Sequence, residues 1–116
     1  MSPDIKPVIY TAGKFRGDIE ANIAIAATVA LQVWTMGCAC ICPHMNTAPW
    51  QGVLEDRVWL EGDLAIVAKC DAVLMLENWK CSEGATRERQ LAMKLGIPVL
   101  YSIEELREWM EARVLC

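Results

Sequence analysis

Four short apolar runs, separated by segments of helical character, constrain the fold of this chain more than any other feature of its sequence. The runs span residues 7–12, 38–42, 72–76 and 97–101, and short apolar runs bounded by Gly, Pro or polar residues are typical of strands. Helices are predicted at about residues 19–36, 54–69 and 81–95 and after residue 102, with a break at Gly62 left open for the second. This alternation predicts a parallel sheet of about four strands covered by helices on both faces, a flavodoxin- or Rossmann-like three-layer α/β sandwich.

The order of the strands decides where a ligand would bind. We expect the order 2-1-3-4, with the switch in connection direction between the first and third strands. Ligands of open α/β sheets bind outside the carboxyl ends of the strands at that point. The sequence therefore predicts a site where the loop after Ala12 meets the loop after Leu76.

Length and charge exclude several classes of protein. A chain of 116 residues predicts one domain, residues 1–116. Eleven basic and fifteen acidic residues give a net charge of -4 without any basic cluster, which argues against a nucleic-acid partner. The first residues lack the pattern of a signal peptide, so the six cysteines are expected to be reduced thiols in a cytoplasmic protein.

A long uncharged stretch indicates an interface. Between Glu20 and Glu55 there is no Asp, Glu, Lys or Arg. We reject a membrane span, and a membrane partner, because polar residues and Pro43 interrupt the stretch. Its helical part, capped by Asp18 and ended by Gly37, is apolar almost all round and should be buried on more than one side. In so small a domain this indicates a homodimer or a larger homo-oligomer.

The third predicted helix carries a carboxylate on its apolar stripe. Glu88 stands three, four and seven residues before Leu91, Ala92 and Leu95, which places all four on one helical face. That face should point to the core. A carboxylate held in apolar surroundings is a candidate for chemistry.

Two loops carry residues suited to an anion. Ser82 and Gly84 open the third helix and offer a hydroxyl and free backbone N–H groups, although Ser82 alone is also a common N-cap. After the first strand, Gly13 permits close approach of a ligand, and Lys14 and Arg16 supply cations. The alternative for this second loop is a solvated turn.

Further candidates lie near the same crevice. Tyr10 is close to the end of the first strand, and Asp63 shares a helical face with apolar neighbours, although two partly exposed acids remain an alternative reading of Asp63 and Glu88. His44, just past the second strand, is predicted to line the pocket. Trp50 is favoured over Trp59 for stacking on a base because its loop is polar, although either can simply seal the core.

A metal site is not predicted. Cys38, Cys40, Cys42 and His44 share one parity along the second strand. Alternate residues of one strand do not readily close a tetrahedron around one ion, so buried thiols are the better interpretation. No cofactor is predicted.

Motifs in chain order identify a resemblance. They are Ile9-Tyr10-Thr11-Ala12-Gly13-Lys14-Phe15-Arg16-Gly17, Asp63-Leu64, Cys70-Asp71-Ala72-Val73, Ser82-x-Gly84-x-x-x-Glu88 and Gly96-Ile97-Pro98-Val99. Together they resemble the nucleoside 2-deoxyribosyltransferase superfamily. They look most similar to its deoxynucleoside 5'-monophosphate N-glycosidase branch and to short phage-type relatives.

The resemblance implies a role for each matching residue. Glu88 would be the nucleophile at C1' of the sugar, Asp63 would orient the sugar or assist departure of the base, and Tyr10 would hold Glu88 by a hydrogen bond. The 5'-phosphate would be received by Arg16, Ser82 and the backbones of Gly13 and Gly84. A neighbouring subunit usually completes such sites, and no residue of this chain is assigned that role.

The function expected from these observations is cleavage of the base–sugar bond of a nucleoside 5'-monophosphate or deoxynucleotide. Two alternatives remain open: transfer of the sugar to another base, and nucleotide binding without turnover. A binding protein would tolerate loss of Glu88, whereas neither the hydrolase nor the transferase would.

Overall fold

A computed structural model describes residues 5–115, and the side chains of residues 5–113. The strands are β1 (Val8–Ala12), β2 (Ala39–Ile41), β3 (Ala72–Met75) and β4 (Val99–Leu100). The helices are α1 (Ile19–Thr35), α2 (Pro43–Asn46), α3 (Asp56–Val67), α4 (Glu83–Leu95) and α5 (Ile103–Leu115). All strand pairs are parallel in the order β2-β1-β3-β4, which confirms the predicted α/β fold and strand order.

Successive residues of the central strands face opposite helical layers. Ile9 and Leu74 pack with residues of α1 and α5, whereas Tyr10 and Val73 pack with residues of α3 and α4. All four side chains are at most 1% exposed. The sheet is therefore covered on both faces, as the unbroken apolar character of its central strands requires.

The first helix has the predicted ends but a different burial. Asp18 Oδ1 accepts from the Ala21 N–H at 3.1 Å, and Gly37 follows the helix with φ +91°. We predicted burial on more than one side. Within this chain α1 buries one face only, and Leu31 and Trp34 on its other side are 65% and 49% exposed.

Two other segments correct the sequence prediction. The second strand ends at Ile41 instead of continuing to Cys42, because Pro43 opens α2, where its fixed φ and missing N–H are tolerated. His44 therefore lies on a helix and does not continue the alternation of Cys38 and Cys40, which are buried in the core. Helix α3 passes through Gly62 without a break.

None of the helices within residues 5–115 combines the length and the apolar character that crossing a membrane requires.

Candidate functional site

A cavity of about 430 Å³ opens at the carboxyl ends of β1 and β3, where the strand order predicts a ligand site. Four segments line it: the loop after β1, α2 with the residues that follow it, one face of α3, and the start of α4. Of the residues singled out in the sequence, the lining includes Gly13, Lys14, Arg16, His44, Asp63, Ser82, Gly84 and Glu88.

Helix α4 carries its carboxyl group to the bottom of this cavity. Ser82 caps the N-terminus of the helix, and its Oγ accepts from the Ala85 N–H at 3.1 Å. The buried face consists of Ala85, Glu88 and Ala92, and Glu88 is only 5% exposed. This confirms that Glu88 lies on the inward face. The prediction that this buried face continues to Leu95 was wrong, because Leu95 is 50% exposed. Ile97, which follows the helix, packs instead against the buried cluster that includes Ala85 and Ala92.

Glu88 is held by a tyrosine from the sheet. The Tyr10 hydroxyl, on a side chain with no exposed surface, donates a hydrogen bond to Glu88 Oε2. Burial raises the pKa of Glu88 to about 8; the Tyr10 hydrogen bond lowers it in part, and the Asp63 carboxylate raises it further. Burial, together with the nearby Glu88, raises the pKa of Tyr10 well above 10.0. Near neutral pH Glu88 is therefore mostly protonated.

Asp63 supplies a second carboxyl group to the same cavity. It lies on α3 and is partly buried, as its helical position predicted. Burial raises its pKa to about 6, which is below that of Glu88. At pH 7 the two groups thus differ in charge: Asp63 is mostly ionised, whereas Glu88 is mostly protonated.

The cations of the loop after β1 lie at the mouth of the cavity. Arg16 forms an ion pair with Asp56, and both side chains are more than 60% exposed. Lys14 is partly exposed beside it. Arg16 can therefore exchange Asp56 for a ligand anion at little cost, because exposed ion pairs contribute little to stability.

Close packing explains the glycine that opens this loop. A Cβ on Gly13 would lie 2.5 Å from Leu76 Cδ1 and 2.9 Å from Asn78 Oδ1. Gly13→Ala is expected to lower the free energy of unfolding by about 1–3 kcal/mol in urea titrations. The matched control is Gly62→Ala, where a Cβ meets open space within a helix and should raise stability by about 0.5–1 kcal/mol. Equal stability of Gly13→Ala and wild type would contradict this packing argument.

His44 is one of the most buried polar side chains described, at 3% exposure. Its Nε2 lies 2.8 Å from the Lys14 carbonyl oxygen, and its ring meets that of Phe15 edge-on with centroids 5.9 Å apart. Burial lowers the pKa of His44, so the ring is neutral, Nε2–H is the donor and Nδ1 is unprotonated. His44 thus lines the cavity and also holds the loop beside it.

The tryptophan favoured from the sequence does not reach the cavity. Trp50 lies in a 3₁₀ turn at Ala48–Trp50 that leaves its side chain 55% exposed, and it is absent from the lining. Trp59 takes that place, one helical turn before Asp63. The polarity of a loop was thus a poorer guide than position on the helix that carries the second carboxyl group.

Sequence reasoning missed three polar residues at the site. Asn22 and Asn78 bind the loop after β1 by hydrogen bonds, and Asp56 pairs with Arg16. A single Asn among the Ala and Ile residues that follow Glu20 in α1 was a usable signal for Asn22. Asn78 and Asp56 had no signal, since their partners lie 64 and 40 residues away.

Within residues 5–115 no group of three or more His, Cys, Asp or Glu side chains is placed to hold a metal ion.

Comparison with known proteins adds a fold relative and a family. No curated protein matches the sequence. Among solved structures, the fold is similar to "2-desoxiribosyltransferase from Leishmania mexicana", with a TM-score of 0.62 and 19% sequence identity over 82% of this chain and 63% of that one. The chain thus spans less than two thirds of that protein's length, and the likeness is one of fold. Residues 7–101, most of the chain, match the family described as "Domain of unknown function (DUF4406)", and the protein belongs to that family.

Proposed function

We propose that the protein is an N-glycosidase that cleaves the bond between base and sugar in a nucleoside 5'-monophosphate or its 2'-deoxy form. The observation that carries this proposal is the arrangement of Glu88: a buried carboxyl group, held by Tyr10, at the bottom of a cavity that also contains Asp63. Most enzymes that cleave glycosidic bonds use two carboxyl groups in one site.

The proposed reaction has two steps. Ionised Glu88 attacks C1' through Oε1, since Oε2 accepts the Tyr10 hydrogen bond. The C1'–N bond breaks, and the base leaves with the bonding electron pair and takes a proton, delivered by Asp63 or by solvent. Water then attacks C1' and gives its proton to ionised Asp63 or to solvent; the bond between C1' and Glu88 breaks, and Glu88 leaves as a carboxylate.

The two ends of the cavity suit the two ends of such a substrate. Arg16, Lys14 and the capped start of α4 at Ser82 and Gly84 offer positive charge and N–H groups to a 5'-phosphate. Trp59 offers an aromatic surface beside Asp63, where a base would leave. The exposed cations at the mouth are of more use to a nucleotide than to a nucleoside.

One alternative activity has specific support. The similar solved fold bears the name of a deoxyribosyltransferase, in which a second base, not water, would capture the sugar. We favour hydrolysis because the mouth of this cavity is bordered by highly exposed side chains, Arg16 and Asp56, which leave water free access. Nucleotide binding without turnover is the remaining alternative.

The test is incubation with matched nucleosides, nucleoside 5'-monophosphates and their 2'-deoxy forms, with free base measured by chromatography. Release from monophosphates in preference to nucleosides is expected. A second arm adds a different free base, because formation of a new nucleotide would identify a transferase. Binding of nucleotides with no release of base in either arm would reject an enzymatic function.

The exposed side of α1 supports a homo-oligomer in this proposal. Leu31→Lys is expected to weaken self-association by roughly 10- to 100-fold, because it removes an exposed leucine that the interface would bury and adds a charge to an uncharged surface. Sedimentation across a concentration series measures the change. Met93→Lys is the control, since Met93 is similarly exposed, at 57%, on α4. A wild type that remains monomeric at high concentration would contradict the oligomer.

A further inference from the structure

The loop between β1 and α1 is held by its backbone, and the groups that hold it are side chains from three other parts of the chain. Asn78, after β3, accepts from the Lys14 N–H at 2.9 Å. His44, on α2, donates to the Lys14 carbonyl at 2.8 Å. Asn22, on α1, donates to the carbonyls of Phe15 and Arg16 at 3.1 and 3.0 Å.

The three side chains form one connected set, which we call the loop clamp (Asn22, His44 and Asn78). Asn78 Nδ2 lies 3.4 Å from Asn22 Oδ1, so the two amides also hold one another. Asn22 is 8% exposed and His44 is 3% exposed. Buried side chains that hydrogen-bond to backbone atoms fix those atoms strongly, because breaking the hydrogen bond leaves a desolvated polar group without a partner.

The clamp determines where the loop's N–H groups point. In a planar trans peptide the carbonyl of one residue and the N–H of the next point in opposite directions. The carbonyls of residues 14, 15 and 16 all point into the clamp, so the N–H groups of Phe15, Arg16 and Gly17 point away from it. Within residues 5–115 no protein atom accepts a hydrogen bond from these three N–H groups.

Consecutive free N–H groups form a concave site for an anion when the backbone turns through a left-handed residue. Gly17 has φ +97°, and Phe15 and Arg16 both line the cavity. The N–H groups are fixed in place, whereas the Arg16 guanidinium is exposed and already paired with Asp56. Preorganised donors contribute more to recognition than a mobile surface charge.

We infer that Asn22, His44 and Asn78 are positioning residues for substrate recognition: by binding the loop's carbonyls they aim the N–H groups of residues 15–17 at the oxyanion of a nucleoside 5'-monophosphate. This inference rests on the proposed function for its substrate. It adds that discrimination between nucleotide and nucleoside depends on side chains that do not touch the substrate.

The kinetic test is Asn22→Leu, which is similar in size and leaves both loop carbonyls without a donor. KM for the monophosphate is expected to rise at least tenfold, with kcat and the kinetics on the matching nucleoside within threefold of wild type. Asn46→Leu, an exposed position on α2, is the control and should change nothing. An equal loss on nucleotide and nucleoside would reduce Asn22 to a structural residue and overturn the inference, as would an unchanged KM.

A second measurement needs neither a folded variant nor turnover. In amide NMR spectra of the wild type, a nucleoside 5'-monophosphate and inorganic phosphate should both shift the N–H signals of Phe15, Arg16 and Gly17, and a nucleoside should not. Shifts confined to the start of α4 would overturn the inference but leave the proposed glycosidase standing. Shifts at residues 15–17 without any release of base would support binding of the phosphate by this loop and reject the proposed glycosidase.

Discussion

Glu88→Gln is expected to lower the rate of base release by at least about 1000-fold, because an amide oxygen cannot form the bond to C1' that a carboxylate forms. Glutamine keeps the size of the side chain, and its amide oxygen still accepts from the Tyr10 hydroxyl. The cavity is thus preserved, and binding of the nucleotide should remain within a few-fold of wild type. Base release in single turnovers and binding by calorimetry measure the two effects separately.

The same substitution should make the protein more stable at alkaline pH, which separates lost chemistry from lost structure. Burial raises the pKa of Glu88 from 4.5 to about 8, so the folded state binds more protons than the unfolded state between those values. The contribution of protonated Glu88 is therefore complete below pH 4.5 and is lost as pH rises toward 8. Glutamine does not ionise, so we expect Glu88→Gln to raise the free energy of unfolding by roughly 1–3 kcal/mol at pH 8–9.

Glu108→Gln is the matched control, because Glu108 is exposed on α5 and the chemical change in the side chain is the same. It should leave activity unchanged, and it should not reproduce the gain in stability at alkaline pH. If Glu88→Gln instead releases base at the wild-type rate, Glu88 is not the nucleophile and the proposed mechanism fails.

The activity of the wild type should rise with pH. The nucleophile must be ionised, and below a pKa of about 8 only a fraction of Glu88 is, a fraction that increases about tenfold per pH unit. When solvent supplies the proton to the base, we therefore expect kcat/KM to rise with a slope near one on a logarithmic scale and to level off above about pH 8. The profile is measured under conditions where substrate is far below KM.

The shape of this profile also tests whether a carboxyl group or solvent supplies the proton to the leaving base. Burial raises the pKa of Asp63 to about 6. If a carboxyl group supplies the proton to the base, one of the two groups must be ionised while the other is protonated, and activity would be bell-shaped, highest between about pH 6 and pH 8 and falling above it. A bell of that kind would show that a carboxyl group and not solvent is the proton donor, whereas a flat profile would remove both groups from the chemistry.

Local sequence signals predicted the framework of the site well. The apolar strands, the cap at Ser82 and the spacing around Glu88 are local properties, and they placed the carboxyl group on the buried face of α4 at the correct edge of the sheet. The alternation of strands and helices then predicted the strand order, because few topologies connect such elements.

Contacts between distant segments were not predictable in the same way. Whether Trp50 or Trp59 reaches the cavity depends on how the segment after α2 folds, and no periodicity describes that segment. The loop clamp joins residues 6 to 64 positions apart through side-chain amides. A single Asn or His in a sequence does not say which carbonyl it will find, since that is decided only once the sheet is assembled.

Binding and bond cleavage are assigned to two different segments of the chain, which affects how such proteins can acquire new substrates. Under the proposed function, residues 13–17 recognise one end of the substrate, while Glu88 on α4 acts at the other, and each is supported by its own hydrogen bonds. Selection in nature or in the laboratory can therefore alter the loop and leave the bond-cleaving group intact. A library randomised at residues 14–16, with the loop clamp and Tyr10 retained, is therefore expected to yield variants with new substrates and an intact bond-cleaving group.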